Sequence, residues 1–117
     1  MSKLTEAQVE ELFAAHLTAQ GWEVRLLKED FIDLYAVRGD QTLIAEIKGH
    51  TKSPGAAMDI GYGQLLRRMK SDHDRHTYAI VAPKTLEFHA ERVECAVRRT
   101  LGIDLYLIDE DGAVEKR

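Results

Sequence analysis

Two segments of this 117-residue chain carry ionisable groups where only apolar side chains are expected. From Phe31 to Val37 both alternating faces are apolar except at Asp33, the pattern of a central strand buried on both sides. The turn Arg38-Gly39-Asp40-Gln41 leads into a second such arm, Thr42 to Lys48, interrupted only at its end by Glu46 and Lys48, which point to the same side. Taking a carboxylate out of water costs several kcal/mol unless a partner compensates it. With Asp33 and Glu46 on neighbouring strands and one face, the like charges repel and raise at least one pKa unless a cation sits between them. A divalent metal resolves that conflict. Two carboxylates with water and a backbone carbonyl form an all-oxygen donor set, so the expected ion is Mg²⁺, with Mn²⁺ as the alternative, and not zinc. Lys48 would reach the same spot.

The elements that must position these groups can be read from spacing. Thr5 and Gln8 form a capping-box pattern, and Val9, Leu12, Phe13 and Leu17 then recur at helical spacing until Gly21. Trp22 to Leu27 alternates as a half-buried strand. Beyond a loop from Gly49 to Gly55, Met58, Tyr62, Leu65 and Met69 mark the core stripe of a second helix, with Gln64, Arg67 and Arg68 on another face. Thr77 to Ala82 reads as a buried strand before Pro83. Leu86, Ala90, Val93, Val97 and Leu101 predict a third helix ending at Gly102, and Asp104 to Ile108 a last strand running into an Asp111-Gly112 turn. The order αβββαβαβ predicts a single α/β domain over residues 1–117. Its sheet is mixed and flanked by helices, with antiparallel early strands and parallel crossovers later.

Asp33, a hairpin, then Glu46-Ile47-Lys48, preceded by a helix bearing Glu6 and Glu10, resembles the PD-(D/E)xK nuclease superfamily over the stretch from Thr5 to about Val81. Ile32 stands where the superfamily usually has proline. The resemblance implies a restriction-endonuclease-like core and metal-dependent hydrolysis of DNA phosphodiesters. It implies that Asp33, Glu46 and the Ile47 carbonyl bind the metal, while Lys48 positions or activates the attacking water. Many members add a helix-1 glutamate, and two residues compete for that role. Glu6 adjoins the Thr5 cap as in small bacterial members, whereas Glu10 falls eleven residues before Gly21, as in the distantly similar Holliday-junction resolvases. An acidic first turn also simply complements the helix dipole. By the same resemblance Gln64 lies near the scissile phosphate. Arg67 and Arg68 on its helical face, with Lys52 on the loop, supply donors for phosphate oxygens.

Composition limits the alternatives. A 44% hydrophobic content excludes disorder, while a net charge of −4 and a pI near 5.7 mean that any nucleic acid must be held by a local patch. A lone cysteine, no apolar run of about 20 residues and no signal-peptide pattern point to a cytoplasmic protein without membrane contact. RNA is compatible with the same chemistry. Without a separate recognition segment, target choice would come from a homodimer, from DNA structure or from a protein partner. The alternative is a nuclease fold serving as a binding or assembly module. Ordinary structural roles are expected for the other reactive residues. Tyr62 and Met69 belong to the core, His16 and His89 to its edge, and Cys95 to a buried helix face. Arg92, Arg98 and Arg99 form a solvated face, and His73-Asp74-Arg75-His76 a solvated loop.

Overall fold

Thr5 and Gln8 exchange two hydrogen bonds at the start of the first helix. The Thr5 hydroxyl accepts from the Gln8 N–H at 3.1 Å, and the Gln8 amide oxygen accepts from the Thr5 N–H at 2.9 Å. Helix α1 (Glu6–Ala19) follows, burying Val9, Phe13 and Leu17. The computed structural model describes residues 3–25, 33–69 and 76–117, so Leu26, Leu27, Phe31, Ile32 and the His73-Asp74-Arg75 loop lie outside the described residues.

The described strands form one six-stranded sheet in sequence order. Strands β1 (Glu23–Arg25), β2 (Leu34–Arg38) and β3 (Gln41–Ile47) are antiparallel neighbours. Helix α2 (Pro54–Arg68) then carries the chain across to β4 (His76–Pro83), which runs parallel to β3. A 3-10 turn (Lys84–Leu86), α3 (Glu87–Ala90) and α4 (Cys95–Leu101) lead to β5 (Ile103–Ile108), parallel to β4. The result is a mixed α/β sheet flanked by helices.

Two cores explain the continuous apolar runs of β3 and β4. On one face, Val9, Phe13 and Leu17 of α1 meet Leu43, Ala45, Ile47, Ala79 and Val81. On the other, Met58, Tyr62 and Leu65 of α2 meet Ile44, Tyr78, Ile80 and Leu105. Central parallel strands covered on both sides have no solvent face on which to place polar residues.

The structure corrects the sequence reading at the C-terminal half. The single helix expected from Leu86 to Leu101 is broken between Ala90 and Cys95. Leu86, Ala90 and Val93 still face the core, but Val97 and Leu101 are exposed because the break changes the helical phase. Arg98, expected in a solvated face, is instead buried, and its Nη1 donates to the Val93 carbonyl in that break. It also lies beside the Tyr62 hydroxyl, which donates to the Ala90 carbonyl at 2.7 Å. The guanidinium therefore supplies a donor where helical hydrogen bonding stops. Cys95, expected to be buried, is exposed as the first residue of α4. A sixth strand, β6 (Val114–Lys116), was not expected; it pairs antiparallel with β5 through the Asp111-Gly112 turn. No helix among the described residues is long and apolar enough to cross a membrane.

Truncating Arg98 should leave the Val93 carbonyl without its side-chain donor. Arg98→Ala is expected to lower unfolding free energy by about 2 kcal/mol, against about 0.5 kcal/mol or less for exposed Arg99→Ala, measured by urea denaturation.

Candidate functional site

The β2–β3 register decides where the two carboxylates meet. Leu34 pairs with Ala45 and Tyr35 with Ile44, so one further step places Asp33 opposite Glu46. Ile44 faces α2, and strand alternation puts Glu46 and Lys48 toward that same helix. The Ile47 N–H donates to Asp33 Oδ2 at 2.9 Å, which locks the aspartate against the end of β3. A strand residue presents its N–H and C=O along one edge, so the Ile47 carbonyl leaves on the Asp33 side.

Glu46 is only 4% exposed. Burial is the main reason its carboxyl is pushed up to about 8, and a hydrogen bond and like charge from Asp33 push it the same way. Lys48 and Arg68 pull in the opposite direction but do not cancel this. Glu46 therefore holds its proton well above the ordinary carboxylate range.

Lys48 is fixed at both ends of its side chain. Its N–H donates to the Val81 carbonyl at 2.8 Å, extending the β3–β4 ladder by one residue. Its Nζ lies 3.9 Å from Glu46 Oε2 and donates to Gln64 Oε1 at 3.0 Å. The aliphatic stem runs over Gly61 of α2, where a Cβ would stand 3.0 Å from Lys48 Cε. Gly61 is a positioning residue that the sequence reading did not single out. The signal was available, because Gly61 and Gly63 inside one helix each cost about 1 kcal/mol of helix propensity unless something needs the space.

The next residue brings in α1. A Cβ at Gly49 would lie 2.1 Å from the backbone nitrogen of Glu6, so α1 begins directly against the chain leaving Lys48. The His50 N–H donates to the Leu4 carbonyl at 2.8 Å beside it. Glu6 is exposed at this junction, and Glu10 is half-buried one turn farther along α1. Among the described residues, no group of three His, Cys, Asp or Glu converges as metal ligands, so neither glutamate forms a three-carboxylate cluster with Asp33 and Glu46.

Of the other expected residues, Gln64 is joined directly to the site through Lys48. Arg68 is near enough for its charge to act on Glu46. Arg67 is exposed and borders, with Gln64, Gly63, Ile60 and Asp59, a hollow of about 370 Å³ beside the site. Lys52 is exposed on the loop leading into α2. The donor chemistry fits a hard divalent cation. Buried Glu46 stands opposite half-buried Asp33, burial holds its carboxyl proton, and the carbonyl of Ile47 leaves on the same edge. Compared with protein-family models, with curated proteins and with solved structures, the chain matches none, and the functional reading rests on this arrangement.

The carboxyl pair predicts an unusual pH dependence in the metal-free protein. Folded Glu46 keeps its proton up to about pH 8, whereas the unfolded chain releases it near 4.5. Its contribution is fully present below 4.5 and is lost as pH rises through 8. Urea denaturation in a chelator should show stability declining across that window in the wild type, with a flatter profile for Glu46→Gln. A second expectation concerns Gly49. Gly49→Ala forces backbone against backbone and should cost about 3 kcal/mol on the same assay.

Proposed function

We propose that the protein is a metal-dependent phosphodiesterase acting on DNA, an endonuclease of the PD-(D/E)xK type with a restriction-endonuclease-like core. The observation that carries this reading is the juxtaposition of Asp33 and Glu46 on adjacent strands with the Lys48 ammonium held between Glu46 and Gln64. A structural ion pair would not need a second carboxylate forced against the first, nor a lysine threaded over a helix glycine to reach a glutamine.

Each residue has a role that its position supports. Asp33, Glu46 and the Ile47 carbonyl would hold Mg²⁺ or Mn²⁺. The bound ion supplies Lewis acidity and lowers the pKa of water. Lys48, oriented by Gln64, directs the attacking water and offers positive charge to the phosphate oxygens as charge develops on them. Burial strengthens both effects, since Glu46 and the Lys48 stem are shielded from solvent screening. Arg67 and Arg68 follow Gln64 on α2, and Lys52 precedes that helix, so a strand crossing its exposed face meets guanidinium and ammonium donors. Glu6, whose backbone abuts Gly49, is placed to approach the site from the start of α1, with Glu10 the alternative. A second copy of the chain or another protein would contribute target choice.

Magnesium titration by calorimetry, followed by incubation with linear, nicked and branched DNA and with RNA, tests the reading. Wild-type protein should bind Mg²⁺ with release of about one proton, and Asp33→Ala and Glu46→Ala should lose that binding. Lys48→Ala should reduce cleavage about 10²- to 10³-fold and Gln64→Ala about tenfold, with circular dichroism unchanged. Wild-type turnover in Lys48→Ala overturns the mechanism. Absence of both metal binding and cleavage favours the binding or assembly module instead.

A further inference from the structure

At the opposite end of β3, about 20 Å from Lys48 by strand rise, the sheet carries a second hollow of about 310 Å³, within the size range of small-ligand sites. It lies where the last turn of α1 meets the first residues of β3, β4 and β5, on the face that α1 covers. Its lining is mainly polar, with Leu43, Trp22 and Tyr106, all largely buried, contributing the apolar part, and Phe13 and His16 packed against Tyr106.

Two cations stand at its rim, and neither is loose. The Arg38 guanidinium lies 4.4 Å above the Trp22 ring centroid and donates through Nη1 to the Gln20 carbonyl at 3.0 Å. The Lys116 ammonium lies 3.5 Å from Asp104 Oδ2 and 6.0 Å from the Tyr106 ring centroid. Long cationic side chains normally keep their rotamer freedom in water, and an aromatic face gives each of these a partly fixed position. Only one of the five guanidinium donors of Arg38 is used in that hydrogen bond, and Lys116 has three donors. Asp104 offsets one of the two charges, in a chain whose overall charge is −4.

Gln20 and Gln41, both exposed, also border the hollow. Each amide offers both a donor and an acceptor, the combination that reads the edge of a nucleobase. A bare inorganic anion would draw on the cations but not on the aromatic side chains or the amides. An uncharged aromatic ligand would not draw on the remaining donors of Arg38 and Lys116.

We propose that this hollow binds a nucleotide bearing a terminal phosphate, whether a free nucleoside monophosphate or the phosphorylated end of a strand. The phosphate is held by Arg38 and Lys116, the base lies toward Tyr106 and Trp22, and Gln20 and Gln41 meet its edge. The site is separate from the Asp33–Glu46 pair and does not depend on any activity there.

Calorimetry in a chelator tests this with adenosine 5′-monophosphate, adenosine, inorganic phosphate and a short 5′-phosphorylated single strand. Either the free nucleotide or the phosphorylated strand should bind, and which one does identifies the source of the ligand. Arg38→Gln and Lys116→Gln should each weaken that binding about tenfold, and adenosine or phosphate alone should bind at least about tenfold less well. Asp33→Ala should leave it unchanged. Lys116 is exposed on the last strand, so its substitution spares the fold even if loss of the Arg38–Gln20 contact does not. The proposal is overturned by failure of both nucleotide probes to bind, by binding that Lys116→Gln leaves intact, by its loss in Asp33→Ala, or by phosphate alone binding as tightly as the nucleotide.

Discussion

A buried glutamate held opposite a half-buried aspartate at the end of the β2–β3 pair sets the requirements for the groups around it. The antiparallel register of β2 and β3 places Asp33 opposite Glu46, and the Ile47 N–H pins the aspartate there. Burial of Glu46, reinforced by a hydrogen bond and like charge from Asp33, pushes its carboxyl up to about 8. Such a pair destabilises a resting fold. It is retained where a cation or a proton transfer makes use of it, which is why perturbed carboxylates collect at functional sites.

The surrounding architecture keeps Glu46 buried between the sheet and α2. α1 seals one face of the sheet with Val9, Phe13 and Leu17, and α2 seals the other with Met58, Tyr62 and Leu65. Two glycines make the joints between these layers close enough. Gly49 lets the backbone at the start of α1 rest against the chain leaving β3, and Gly61 lets the Lys48 stem cross α2 to Gln64. Tyr62 ties the same helix to Ala90, and Arg98 supports that link from α4. The site therefore depends on helix packing some distance beyond the residues that would touch a substrate.

Charge is distributed unevenly along the sheet. Although the chain is acidic overall, Lys52, Arg67 and Arg68 gather around α2 near the carboxyl pair, while Arg38 and Lys116 flank the far end of the strands. Among the described residues, Glu87, Glu91 and Glu115 converge on Arg117. Negative net charge thus coexists with local groups of cations, since short-range interactions depend on nearby groups, with distant ones screened by salt.

Local pattern alone determined a large part of this molecule. The Thr5–Gln8 cap, the stripes of α1 and α2, the two-sided apolar runs of β3 and β4 and the placement of Glu46 in β3 are legible, because each depends on contacts within a few residues or on simple alternation, whereas Asp33 and Lys48, expected inside strands, lie just before β2 and just after β3. Where a stripe could be satisfied in more than one way, spacing was insufficient. A continuous helix and a broken one both bury Leu86, Ala90 and Val93, and only the packing of Arg98 beneath the break selects the second. The sixth strand was hidden for a similar reason, since the three residues Val114 to Lys116 show little alternation and gain their structure by pairing with β5. Tertiary structure alone decided that Lys48 reaches Gln64, that Gly49 meets Glu6, and that the hollow beside Arg38 exists. Those distances join residues far apart in the chain, and their values are set by how closely helices can approach a sheet, which one-dimensional periodicity does not encode.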